Sequence, residues 1–165
     1  MKAEAVMDKE NTLYLDLKDG RVTIEMYPEK APNHVARIKE LVRQNFYDGL
    51  LFHRVIEDFM AQTGDPNGNG TGGSGTKLKA EFNDLPHKRG TVSMARAQNP
   101  DSADSQFFIC FNDCSWLDGQ YTVWGQVVEG MEFVDNIKKG IQYLNGEVDD
   151  PDSIIKMTVA ADEDK

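Results

Sequence analysis

The chain has 165 residues, 39% of them hydrophobic, and 18 Lys and Arg against 28 Asp and Glu give a net charge of −10 at pH 7. This length supports one domain with its own core and is short for two, so residues 1–165 are expected to form a single domain with its core at about residues 12–160. The acidity argues against nucleic acid, whose phosphates are bound by Lys and Arg, and the composition is that of neither a disordered chain nor a membrane protein.

No run of 18 apolar residues is present to span a membrane, and Met1–Asp8 lacks the apolar stretch of a secretory signal. A cytoplasmic protein without a membrane partner is expected. Cys110 and Cys114 are the two cysteines, with three residues between them. They would supply half a metal site with no second pair, so reduced, partly buried thiols are expected, with no metal and no cofactor.

Residues 1–11 are polar and expected to fray. Thr12–Leu17 alternates Leu13, Leu15 and Leu17 with Tyr14 and Asp16. Val22, Ile24 and Met26 alternate with Thr23 and Glu25, and Asp19-Gly20 between the runs signals a hairpin. Pro32 suits a first helical turn, and Val35, Ile38, Leu41 and Val42 follow at helical spacing until Asn45 and Gly49. Phe52–Val55 and Met60–Thr63 read as strands around a Glu57-Asp58 turn. Further strands are expected at Thr91–Ala95, Gln106–Phe111, Tyr121–Val128 and Ile154–Val159. A second helix is expected at Gly130–Lys139, with Lys138 and Lys139 favouring its C-terminal dipole and Gly140 beyond its end. Many short strands, two helices and no βαβ rhythm predict an antiparallel sheet with helices set against it.

Gly64–Thr76 reads as a long flexible connection whose glycines let the backbone approach something closely. It contains Gly68-Asn69-Gly70-Thr71-Gly72-Gly73, a G-x-G-x-x-G run, but no helical stripe follows, as a dinucleotide site requires. Asp65–Gly70 resembles half a calcium loop, yet Thr76 stands where a bidentate Glu belongs. Asn69-Gly70-Thr71 is a glycosylation sequon, relevant only in a secreted chain. His34, His53 and His87 lie on separate elements without ligand spacing. No nucleophile elbow and no H-E-x-x-H are present, so acid–base, nucleophilic and metal chemistry find no foothold.

What stands out is Phe52-His53-Arg54-Val55-Ile56 followed by Phe59-Met60-Ala61-Gln62, a cation and an amide set among apolar groups. A cation facing an apolar pocket is costly without a task. Ser93–Ala97, Ser105–Ile109 and Trp116–Tyr121 add apolar groups with a few polar fixtures. Together they could line a shallow cleft holding one guanidinium and two amides.

These runs, with Gly70-Thr71-Gly72-Gly73 and Trp116-Leu117-Asp118-Gly119, resemble the cyclophilin family of peptidyl-prolyl cis–trans isomerases in order and near-spacing, over about Leu13 to Ala160. The resemblance implies a mainly β fold, a closed eight-stranded antiparallel β-barrel with two capping α-helices. It implies rotation about X-Pro bonds of proline-containing polypeptides, aiding their folding, without a cofactor. By position, Arg54 would be catalytic, and Phe59, Met60, Phe108 and Leu117 would form the proline pocket. Gln62 and Gln106 would hold or flank peptide backbone. Ala95, Arg96 and Ala97 would offer an edge to the residues before proline, Gly70 and Thr71 a pocket rim, and Trp116 a contact for a cyclosporin-type ligand. Tyr121 stands where many members have histidine and Arg96 where many have asparagine, as in variants associated with bacterial members. Tyr121 would keep an aromatic wall, and Arg96 would act through its backbone. A monomer is expected. Arg54 favours an enzyme over a module that merely holds proline segments, and a holdase for unfolded chains would show no proline dependence.

Overall fold

The computed structural model describes residues 8–163. Of residues 1–11, expected to fray, residues 1–7 lie outside that range, while Lys9–Asn11 form a 3-10 turn. Eight strands, β1 (Thr12–Leu17), β2 (Gly20–Met26), β3 (Arg54–Ile56), β4 (Met60–Thr63), β5 (Thr91–Met94), β6 (Phe107–Cys110), β7 (Val123–Glu129) and β8 (Lys156–Val159), form one sheet. Its order is β3-β4-β6-β5-β7-β2-β1-β8, and every ladder is antiparallel. The helices are α1 (Pro32–Arg43), α2 (Met131–Asp135) and α3 (Ala160–Glu163).

The hairpin forms because Leu13 and Leu15 lie opposite Ile24 and Val22, all buried on one face. Its turn is Lys18-Asp19, one residue earlier than expected, since Gly20 already pairs with Leu17. In α1 the stripe Val35, Ile38, Leu41 and Val42 is buried, and the helix packs against β8. Phe107 sits at the centre of the core, edge-on to Trp124 and Tyr47 with ring centroids 5.5 Å away in each case.

α2 is half the expected length. Lys138 N donates to Asp152 Oδ2 at 2.8 Å, and Gly140 N donates to Val55 O at 2.8 Å, which draws the chain out of helical register. Gly140 is no helix cap. A Cβ there would fall 1.9 Å from Gly146 O, so glycine permits two backbones to touch.

The same crossing changes the expected closure of the sheet. The outer edge of β3 is occupied by residues 140–148: Val55 N donates to Gly146 O at 2.9 Å and Val148 N to His53 O at 3.1 Å. No ladder therefore joins β3 to β8, and the named strands form an open, ordered run. The two ends meet just before these strands, through Phe52 N to Asp152 O at 2.8 Å, Ile154 N to Leu50 O at 2.8 Å and an isolated Leu51–Ser153 bridge. Covering the β3 edge also protects it from pairing with other chains. Near the C-terminus Glu163 pairs with Arg21, and Asp162 with Arg43.

Candidate active site

β3, β4, β6 and β5 present two rows of side chains, since neighbours on a strand point to opposite faces. Val55, Ala61, Ile109 and Val92 are in register and fully buried in the main core. One residue over, Arg54 lies opposite Gln62, Gln62 opposite Phe108, and Phe108 opposite Ser93. Arg54 thus shares its face with Ile56 and Met60, while Phe52 and Val55 belong to the main core. Met60, Phe108, Cys110, Cys114 and Leu117 form a second buried cluster on this face.

Arg54 is fixed on three sides. Nη1 donates to Gln62 Oε1 at 3.0 Å, Nε to Asn145 O at 3.0 Å, and Nη2 to Asn145 Oδ1 at 3.1 Å. The guanidinium can only donate, which settles the amides in series. Gln62 turns its oxygen to Arg54 and its Nε2 to Gln106 Oε1 at 2.8 Å. Gln106 Nε2 then reaches Gly70 O at 3.1 Å and Gly72 O at 3.0 Å. Burial lowers the pKa of the half-buried Arg54, with Tyr121 opposing the shift. An arginine remains a cation at neutral pH even so.

A cavity of about 310 Å³ opens beside this cation, lined by Arg54, Phe59, Met60, Gln62, Ala95, Arg96, Phe108, Leu117 and Tyr121. A neighbouring space of about 270 Å³ is bounded by Gly70–Gly73, Ala95–Ala97, Lys77, Ser102, Asp104, Gln62 and Gln106. Trp116 stands at the outer rim, 61% exposed, its ring 5.6 Å from that of Phe59. The expected residues thus divide. Phe59, Met60, Phe108, Leu117 and Tyr121 gather around Arg54, Gly70, Thr71, Ala97 and Gln106 belong to the adjacent space, and Trp116 lines neither.

The two departures from the family pattern touch each other. Arg96 Cζ lies 4.5 Å from the centre of the Tyr121 ring, and its Nη2 donates to Gln120 O at 2.6 Å. The Arg96 side chain is therefore part of the cavity wall, where the resemblance implied a role through its backbone.

The glycine loop is built rather than slack. The buried Asp65 carboxylate accepts N–H groups from Asn67 at 2.8 Å, Asn69 at 3.0 Å and Gly70 at 2.5 Å. Burial alone would raise its pKa, but these three donors hold it below the ordinary value. Asp104 likewise accepts from Ser74 N at 2.7 Å and Gly75 N at 3.1 Å. The close approach the glycines allow is to these carboxylates: a Cβ on Gly72 would lie 2.3 Å from Asp65, and one on Gly73 2.4 Å from Asp104.

His87 was not among the expected site residues, yet it is fully buried behind the cavity. Its ring stacks on Phe108 at 6.1 Å and meets Tyr121 edge-on at 6.4 Å. Nδ1 is 3.0 Å from Asp118 Oδ1 and Nε2 is 2.9 Å from Ser93 Oγ. Burial lowers its pKa, with Asp118 pulling the other way. Asn145 was missed as well, although Asn145-Gly146 is a turn signal that could have marked it. Cys110 and Cys114 are free and fully buried, more so than expected, and burial raises both thiol pKa values.

The description "Cyclophilin type peptidyl-prolyl cis-trans isomerase/CLD" belongs to the family model that matches residues 12–159. The chain belongs to this family of isomerases. A probable peptidyl-prolyl cis-trans isomerase of Brucella suis is 55% identical, with 98% of this chain and 89% of that protein covered. Peptidyl-prolyl cis-trans isomerase B of Bacillus subtilis is 46% identical over 78% of this chain and 92% of its own. Among solved structures, a cyclophilin from Hirschia baltica matches with a TM-score of 0.83 at 28% identity, covering 94% of this chain and 76% of that one. A Cryptosporidium parvum cyclophilin-type isomerase, crystallised in the presence of the dipeptide Ala-Pro, matches with a TM-score of 0.82 at 26% identity, covering 90% and 98%. The reaction of the family is isomerisation of peptidyl-prolyl bonds, and this chain is such an enzyme.

Proposed function

We propose that Arg54 is the catalytic residue and that the cavity beside it receives the proline ring of a polypeptide client. The observation that carries this reading is the position of one anchored guanidinium at the edge of an apolar cavity. X-Pro bonds rotate in roughly tens to hundreds of seconds, because amide resonance must be broken. No bond to another atom is made, so no nucleophile is required. Twisting localises the lone pair on the prolyl nitrogen, and a donor aimed there stabilises the twisted form more than the planar one. Three hydrogen bonds restrain the Arg54 side chain, so little reorganisation is required as the bond turns.

Magnitudes divide the work. Bringing tens of seconds down to milliseconds takes about 5–6 kcal/mol. One charge-assisted hydrogen bond contributes about 1.5–3 kcal/mol. The remainder falls to the apolar side chains of Phe59, Met60, Phe108, Leu117 and Tyr121 in the cavity wall and to a grip on the chain either side of the bond. For that grip, the backbone N–H and C=O of Arg96 carry no hydrogen bond among the described residues, so Ala95–Ala97 can pair with an extended segment. Gln62 and Gln106 flank it, with Gly70 and Thr71 at the rim. Trp116, exposed and packed on Phe59, suits contact with a cyclosporin-type ligand. The reading extends to a single monomeric domain in the cytoplasm, its barrel closed through residues 49–52 and 152–154.

The test is isomerisation of a short X-Pro peptide with and without a cyclosporin-type ligand. Fast turnover that the ligand suppresses is expected. Absence of turnover in folded protein would replace catalysis with proline-segment binding.

A further inference from the structure

On the other side of Arg54 lies a third and larger space, of about 520 Å³. Arg54 and Gln62 line both it and the apolar cavity, so the two are continuous at the guanidinium. One wall is the backbone of Gly68 and Gly70 with Asn69, and the other is Leu144, Asn145, Glu147 and Val148. His53 also lines it, 7% exposed. Leu144 in the wall of this space is an apolar side chain 45% exposed, and Ile141 and Tyr143, close to it in sequence, are exposed as well. Scattered exposed apolar residues need no explanation, but one that forms the wall of a cavity offers a contact.

We propose that this space is a specificity subsite for an apolar or aromatic side chain flanking the X-Pro bond of the client. The inference rests on the placement of the reacting bond at Arg54. Continuity with that position selects the occupant: a chain held at Arg54 runs past this opening on one of its two flanks. The lining selects the chemistry. Among the uncharged amides of Gln62, Asn69 and Asn145, Leu144 and Val148 offer apolar contact, Gly70 leaves room beside the His53 ring, and burial keeps that ring neutral. Arg54 and Glu147 bring opposite charges to the opening, which leaves no net attraction for a charged residue. Both walls are formed in advance. Asp65 fixes Asn69 and Gly70, and Asn145 is bonded to Arg54, so little ordering opposes entry.

The test measures kcat/KM on proline peptides carrying Gly, Leu, Phe, Asp or Lys in turn at each position flanking the X-Pro bond. At one flanking position Phe and Leu are expected to exceed Gly by about tenfold, the scale of burying one apolar side chain, with Asp and Lys no better than Gly. In Leu144→Asp the Phe-to-Gly ratio falls towards one, and in Leu144→Met it persists. Leu144 is exposed, so both variants should fold, and the ratio is independent of how much enzyme is active. No preference at any position, or a ratio that survives Leu144→Asp, overturns the subsite while turnover of the Gly peptides upholds the isomerase reading. No turnover of any peptide by folded enzyme overturns both.

Discussion

Val55, Ala61, Ile109 and Val92 on one face of the β3-β4-β6-β5 sheet are replaced, one residue along, by Arg54, Gln62, Phe108 and Ser93 on the other. The first row touches only core. The second carries a cation, an amide and the ring of an open cavity, and it is linked by hydrogen bonds to loops at residues 70–72 and 145. Register alone separates stability from chemistry here, since a slip of one residue would send Arg54 into the core. The site face is also less self-sufficient, because its polar groups are held by segments distant in sequence.

The largest effect separating the rows is in stability. Ile109→Ala should cost about 2–5 kcal/mol in denaturant unfolding, from lost burial and a cavity, while each folded molecule keeps its turnover. Equal losses of turnover and stability would mean that the rows are not independent.

Next is the anchoring of the second row. Asn145 adopts φ of 58°, a conformation glycine accepts, so Asn145→Gly removes the carboxamide without backbone strain. Its kcat should fall about tenfold, the scale of one hydrogen bond to a charged group, with KM and melting temperature little changed. In an Arg54→Ala background the same substitution should cost nothing further, because Asn145 acts through Arg54. An additive loss would give Asn145 a separate role.

Acid should weaken the fold through its three buried histidines. Burial lowers the pKa of His34, His53 and His87 in the folded chain, against an ordinary value of about 6.5. Between the lowered values and about 6.5 the unfolded chain binds more protons, so stability is complete above that window and declines as pH falls through it. Melting temperature should therefore drop on acidification from neutral pH, and His87→Gln should shallow that drop. A flat profile across the window would contradict these environments.

The smallest effect concerns the cavity wall. Arg96→Asn removes the cation from the Tyr121 ring, a contact of about 0.5–1 kcal/mol, and should change KM by about two- to fivefold with kcat retained. Titrating X-Pro peptides of different residues before proline would read it.

The strands that carry the two rows were legible from alternation, and the site residues of the second row from the family resemblance. Thr12–Leu17 and Met60–Thr63 are strands with the expected bounds, and Arg54 shares a face with Gln62 and Met60. What was not legible arises from contacts between remote segments. Asn145 meets Arg54 from 91 positions away, through backbone pairing that no periodicity records. The short α2 and the missing ladder between β3 and β8 follow from that same crossing. His87 is a lone histidine in a polar stretch, and only the fold places it behind Phe108. Arg96 and Tyr121 were each noticed, but their contact appears only when residues 95–97 and 120–121 close on one another.

The most direct measurement is peptide isomerisation by Arg54→Ala beside peptide binding by the same variant. A fall in kcat of about 100-fold is expected, within the reach of one charge-assisted hydrogen bond, with the peptide dissociation constant changed by less than about threefold. Turnover near that of the parent would contradict Arg54 as the group that stabilises the twisted bond.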